Sequence, residues 1–149
     1  MNIKEELYKQ CHDFVNQRLQ TIQKTITSNQ KALTSETKSS AGDKHETGRA
    51  MLQLEMEKAG QQLKGVSLMK EVLAKIDHLK TSEKASLGSI IITSQANYFL
   101  SISAGKLTAS GKIYFAVSVS SPIGKALLGK GINEEFVFNG ETILIVHIL

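Results

Sequence analysis

The sequence has no tryptophan, one cysteine and one proline, and only 5% of its residues are aromatic. The single cysteine, Cys11, excludes an internal disulfide and fits a reducing, cytoplasmic compartment. No run of 18 apolar residues occurs, so no membrane span is expected. The polar opening MNIKEELYKQ does not make a secretory signal. Blocks of five or six basic residues are also missing. A net charge of +4 spread along the chain, without stacking aromatics, favours neither DNA nor RNA as a direct partner beyond a weak contact.

What is present is a chain of 149 residues, enough for one ordinary domain or two small ones. Its 41% hydrophobic and 21% charged residues belong to a folded, soluble protein. The text changes near residue 80. Residues 1–80 hold 13 of the 18 Lys/Arg, 10 of the 14 Asp/Glu and only 4 of the 11 glycines. Residues 81–149 are rich in Ile, Val, Ser and Gly and carry the proline. The expected organisation is α+β: a helical hairpin over 1–80, then a small antiparallel β domain with one short helix over 81–149.

In the first half, Ile3, Leu7, Cys11, Phe14, Ile22, Ile26 and Leu33 recur at helical spacing, as do Leu52, Met56, Ala59, Leu63, Val66, Leu73 and Ile76. The segment between them, SETKSSAGDKHET, has loop chemistry and predicts a tip at about 35–47. Two helices of similar length around one break predict an antiparallel coiled-coil hairpin, roughly 45 Å long and without a second apolar face. Cys11 falls on the apolar stripe, which predicts packing rather than reactivity. Gly60 and Gly65 interrupt the second helix pattern, each costing about 1 kcal/mol against Ala and marking close packing or a bend.

In the second half, Ser89–Thr93, Tyr98–Ile102, Ile113–Val119, Glu135–Phe138 and Thr142–Ile148 read as strands. Asn139-Gly140 between apolar runs is a hairpin signal. Ser121-Pro122 reads as the capped start of a short helix through Ala126, Leu127 and Leu128, ended by Gly129. Ile123, Leu127 and Leu128 divide between core and a docking surface, with at least two assigned to core.

Several catalytic patterns fail on their own residues. Gly124–Gly131 approaches a phosphate-binding loop, but Gly131 stands where a magnesium-holding Ser or Thr is required. His45-Glu46 begins like H-E-x-x-H, but Arg49 occupies the place of the second histidine. There is no G-x-S-x-G elbow, and His12, His45, His78 and His147 are scattered. At the tip, Asp43 and Glu46 stand three residues apart, a spacing that puts two carboxylates on one side of a helical turn. Two readings fit: an N-cap with its capping-box partner, or part of a divalent-metal site completed by another molecule.

Ile113–Lys130, IYFAVSVSSPIGKALLGK, resembles the strand–S-S-P–helix–G-K segment of the bacterial Gre family of transcript cleavage factors. Gly140-Glu141 and the last apolar strand resemble its final hairpin, and Gly42-Asp43-x-x-Glu46 resembles its G-D-x-x-E tip. The likeness runs along nearly the whole chain, in the same order of parts. It implies an FKBP-like second domain that docks on bacterial RNA polymerase, and a coiled coil that enters the secondary channel of the enzyme. Asp43 and Glu46 would then help bind the second magnesium ion and a water beside the RNA 3′ end, so that the polymerase cleaves its own backtracked transcript. The implied protein is a transcription elongation factor. It has no intrinsic cofactor and no nuclease activity of its own, and a monomer is favoured.

After the second acid the family reads E-N-A-E-Y, where this chain has Glu46-Thr47-Gly48-Arg49-Ala50. The alternative implied by that departure is a Gre-like regulator or inhibitor that occupies the channel without cleavage. A prolyl isomerase would need a deep aromatic pocket, and the six aromatics of residues 81–149 fall in strand patterns instead.

Overall fold

A computed structural model describes the backbone of residues 2–38 and 42–149, and the side chains of residues 2–35 and 47–149. Its element order is α1 (Ile3–Lys38), α2 (Gly42–Ala74), β1 (Ile90–Thr93), β2 (Asn97–Ser101), β3 (Gly105–Ala109), β4 (Lys112–Ser118), α3 (Pro122–Leu127), β5 (Glu135–Phe138) and β6 (Glu141–Ile148). The architecture is α+β: a long helical hairpin, then a small sheet and one short helix. Packing divides the chain into two compact units, Met1–Phe14 with Lys70–Leu149, and Val15–Met69.

In the unit Val15–Met69 the two helices bury Val15, Ile22 and Asn29 from α1 and Ala59 and Val66 from α2. Val15, not the expected Phe14, is the buried member of its pair, because a spacing of four from Cys11 keeps the seam on one side. The helices also run further than the loop-like text suggested, to Lys38 and from Gly42. Hydroxyl residues are tolerated in α1 because they bond backward along the helix. Thr21, Thr25 and Thr34 each donate to the carbonyl four residues earlier, at 3.1, 3.1 and 3.0 Å. Gly60 and Gly65 do not break α2, and a Cβ at either would meet nothing within 4 Å, so neither serves close packing. Contrary to a single-faced helix, α2 exposes Met51, Leu54 and Leu68 off the seam.

The other unit is built on a six-stranded sheet ordered β3-β4-β2-β1-β6-β5. Every neighbouring pair is antiparallel except β2 and β4, which run parallel, so the sheet is predominantly antiparallel as expected. The parallel pairing arises because β3, absent from the sequence reading, folds back outside β4 as an edge strand. Its turn is Ser110-Gly111, with φ of 50° and 75°, the same left-handed pair that Asn139-Gly140 shows at 51° and 79° between β5 and β6. Both are the type I′ geometry that matches strand twist.

Both faces of the central strands are covered. Ile91, Leu100 and Ile145 form one core with Leu127 of α3 and Ala85, and Ile123, Tyr98 and Val117 pack against it. The opposite alternation buries Ile90, Phe99, Ser101, Tyr114 and Ala116. The first turns of α1 meet that face, where Cys11 Sγ lies 3.7 Å from Ser101 Oγ. Ile76 is buried, but it follows α2, which ends at Ala74. It packs so near the turn at Gly88 (φ 92°) that a Cβ there would sit 3.1 Å from its Cγ2.

The short helix α3 is capped as its text requires. The Ser121 hydroxyl accepts from Gly124 N at 3.1 Å and donates to Ser118 O at 2.6 Å, with Pro122 in the first turn. Leu127 is buried and Ile123 half-buried, while Leu128 is exposed. Gly124 lies so close to β4 that a Cβ would overlap the Ser118 carbonyl oxygen.

Two stability predictions follow from these contacts. Gly124→Ala must displace α3 from a backbone carbonyl that cannot yield by rotation, and destabilises the β-containing unit by about 1–3 kcal/mol. Urea unfolding followed by tyrosine fluorescence reads that loss. Asn29 is 7% exposed, and its Nδ2 has no hydrogen-bond partner among the described residues. Asn29→Leu removes an unsatisfied buried donor and stabilises the hairpin by about 1–3 kcal/mol, seen as a raised midpoint in helical circular dichroism. A lowered midpoint would show instead that the amide is satisfied.

Candidate functional site

The carboxylates singled out by spacing belong to the start of α2. The helix is described from Gly42, and the backbone of Asp43 and Glu46 lies within its first five residues. The side chains of Asp43, His45 and Glu46 lie outside the described residues, and with them any metal geometry. Downstream, Thr47 and Arg49 are exposed. Residues three apart share a helical face, so Arg49 follows Glu46 on the same stripe.

The near-match to a phosphate loop is not one. Gly129 N donates to Ala85 O at 2.8 Å, Lys130 N to Leu127 O at 3.0 Å, and Leu128 N to Gly124 O at 3.0 Å. Amides that would cradle a phosphate are already spent on closing α3 and tying it to Ala85. Aromatic side chains do not converge on a pocket either. Phe99 and Tyr114 are core, while Tyr98 and Phe115 make a tilted pair with ring centroids 6.3 Å apart.

The base of α1 carries a set of polar contacts that the sequence did not announce. The Tyr8 hydroxyl donates to Leu73 O at 2.8 Å. Its ring stacks on His78, with centroids 5.2 Å apart, and meets His12 edge-on at 4.7 Å. His78 Nε2 lies 3.9 Å from Glu5 Oε1. Lys4 is 8% exposed and donates from Nζ to Lys80 O at 2.8 Å. Its partners lie more than 70 residues away, so no local pattern could have marked it.

Comparison of the chain with family models, with curated proteins and with solved structures finds no match. Function is therefore argued from the residues themselves. Among the described residues, no helix is long and apolar enough to cross a membrane.

Cys11 is the free thiol of the chain, and its buried environment silences it. Burial pushes the thiol up from 9.0 to about 11, with the Ser101 hydroxyl opposing. A thiolate is the reactive form, so Cys11 stays unmodified by a thiol reagent at pH 8 until the chain is denatured. The same shift has a signed effect on stability. The unfolded chain loses the thiol proton first, so this contribution is intact below about pH 9 and is lost as pH rises towards 11. Denaturation of the native protein against Cys11→Ala across pH 8–11 measures it: the difference between the two narrows as pH rises.

Proposed function

We propose that this protein is a bacterial transcription elongation factor that acts in the cytoplasm on RNA polymerase. The hairpin enters the secondary channel, where Asp43 and Glu46 contribute carboxylate oxygens to a magnesium ion shared with the polymerase. Asp43 and Glu46 would hold that ion, and the metals of the shared site would supply activation of the attacking water and stabilisation of the leaving oxygen as the backtracked RNA is cleaved. The factor itself holds no complete active site, so the chemistry belongs to the polymerase.

The observation that carries this reading is the start of α2 at Gly42, which sets both acids of G-D-x-x-E in one helical turn at the junction of a two-helix hairpin. Three further features support it. The hairpin has a single seam, leaving a cross-section of only two helices. Exposed Met51 and Leu54 lie within three turns of the acids and offer apolar surface to a channel wall. The S-S-P segment is folded as a strand followed by a capped helix, as the resemblance implies.

A second reading, occupancy of the channel without cleavage, is favoured by one observation. Exposed Arg49 stands on the stripe of Glu46 and brings a positive charge to the place where a cation would bind.

Cleavage of transcripts in stalled polymerase complexes separates the two. On the first reading, native protein shortens the RNA from its 3′ end, and Asp43→Ala and Glu46→Ala each slow that step by about tenfold or more. No shortened RNA with native protein, accompanied by slowed elongation, decides for the second. Failure of the protein to retain RNA polymerase from solution overturns both.

A further inference from the structure

We propose that the unit Met1–Phe14 with Lys70–Leu149 contains a binding site for a small phosphoryl-bearing anion, in the cleft walled by Lys4, Lys75, Lys80, Ser82, Ser86 and Ser89. The cleft has a volume of about 220 Å³, room for a phosphate with part of its substituent. It is independent of the hairpin acids, and the proposal does not rest on the polymerase reading.

The electrostatics point to an anion. Three lysines line the cleft against one acidic residue, Asp77, an excess of two positive charges among the lining residues. Asp77 is partly engaged already, since its Oδ1 accepts from Leu79 N at 3.0 Å. A phosphate dianion matches the remaining charge, whereas a cation meets net repulsion.

Lys4 is the decisive residue. Lysine is almost never this buried without a partner. An ammonium has three protons to donate, and among the described residues Lys4 has one acceptor, the carbonyl of Lys80. Burial lowers its pKa, with the Asp77 carboxylate opposing. An oxyanion in the cleft supplies the missing acceptors.

The opposite wall supplies hydroxyl donors. Ser86 N donates to Ser89 Oγ at 3.0 Å, and the two hydroxyls lie 3.3 Å apart. One hydroxyl proton suffices for that contact, which leaves the other free to donate to a ligand. The turn is held in place by Ser89 N on Ser86 O at 2.9 Å and Gly88 N on Leu100 O at 2.7 Å. The cleft is therefore preformed on that side. The carbonyls at the end of α2 do not compete with the ligand for the lysine ammonium groups, because Val72 O and Leu73 O already accept from Lys75 N, Ile76 N and the Tyr8 hydroxyl.

The test is an NMR titration of the full chain with inorganic phosphate, with sodium chloride at matched ionic strength and sodium acetate as comparators. The expected result is saturable shifts at the amides of Ser82, Ser86, Gly88 and Ser89 with phosphate, weaker shifts with acetate and none with chloride. Lys75 and Lys80 are exposed, and Lys80→Ala keeps the backbone carbonyl that holds Lys4, so the double variant Lys75→Ala/Lys80→Ala retains the fold. Phosphate binding in it weakens by about tenfold or more. Shifts that follow ionic strength alone, acetate binding as tight as phosphate, or a double variant that titrates like the native chain would each overturn the proposal.

Discussion

The central strands of the sheet need cover on both faces, and the rest of the β-containing unit is arranged by that need. Ile90 and Ile91 are adjacent in β1 and point to opposite sides, yet both are buried. A strand with apolar residues on both faces cannot leave either one in water. One side is covered by α3, whose Leu127 joins Ile91, Leu100 and Ile145. The other is met by the first turns of α1, where Cys11 lies against Ser101 and the Gln10 side chain donates to Thr108 O. Residues 1–14 are thus part of the β unit by packing, although their text is helical and they continue without a break into α1.

This double demand explains the local rules that look arbitrary one residue at a time. Gly124 must lack a side chain because α3 has to lie against the end of β4 to bring Leu127 over Ile91. Gly88 must turn with positive φ because Ile76 fills the space beneath it. Cys11 stays an uncharged thiol because it is buried against Ser101 between helix and sheet. Each is a consequence of packing at interior density, where the volume of a single methylene is felt.

Periodicity made the helices readable, since a seam recurring every three or four residues is a strong signal over 30 residues. The Asn139-Gly140 hairpin and the Ser121 cap were equally plain, because turn and cap chemistry is local. What escaped had non-local or weak causes. The edge strand β3, Gly105–Ala109, carries only Leu107 and Ala109 inward and reads as polar text, although Ser110-Gly111 could have marked its turn. The ends of the hairpin helices were hidden by Ser and Thr, whose loop preference is offset when the hydroxyl bonds to the carbonyl four residues back. Of the candidate site, the spacing of Asp43 and Glu46 was legible. The environment of Lys4 was not, because it is assembled from residues 4, 77 and 80 and exists only after folding.

Arg49 makes the surroundings of the tip, more than its acids, the deciding quantity for the proposed cleavage role. Side chains three residues apart on a helix are separated by about 5–6 Å. Two unit charges at about 6 Å interact by about 0.7 kcal/mol in water, but by about 3 kcal/mol at an effective dielectric of 20. In open solvent, an arginine beside a metal-binding acid therefore has little effect on the metal. Inside a channel that excludes water, the same arginine opposes a divalent cation by several kilocalories per mole. That opposition falls away only if the arginine finds an anion of its own, such as an RNA phosphate or a carboxylate of the channel wall. The proposed cleavage activity would thus depend on an anionic partner for Arg49 as much as on the two acids, whereas channel occupancy alone makes no such demand.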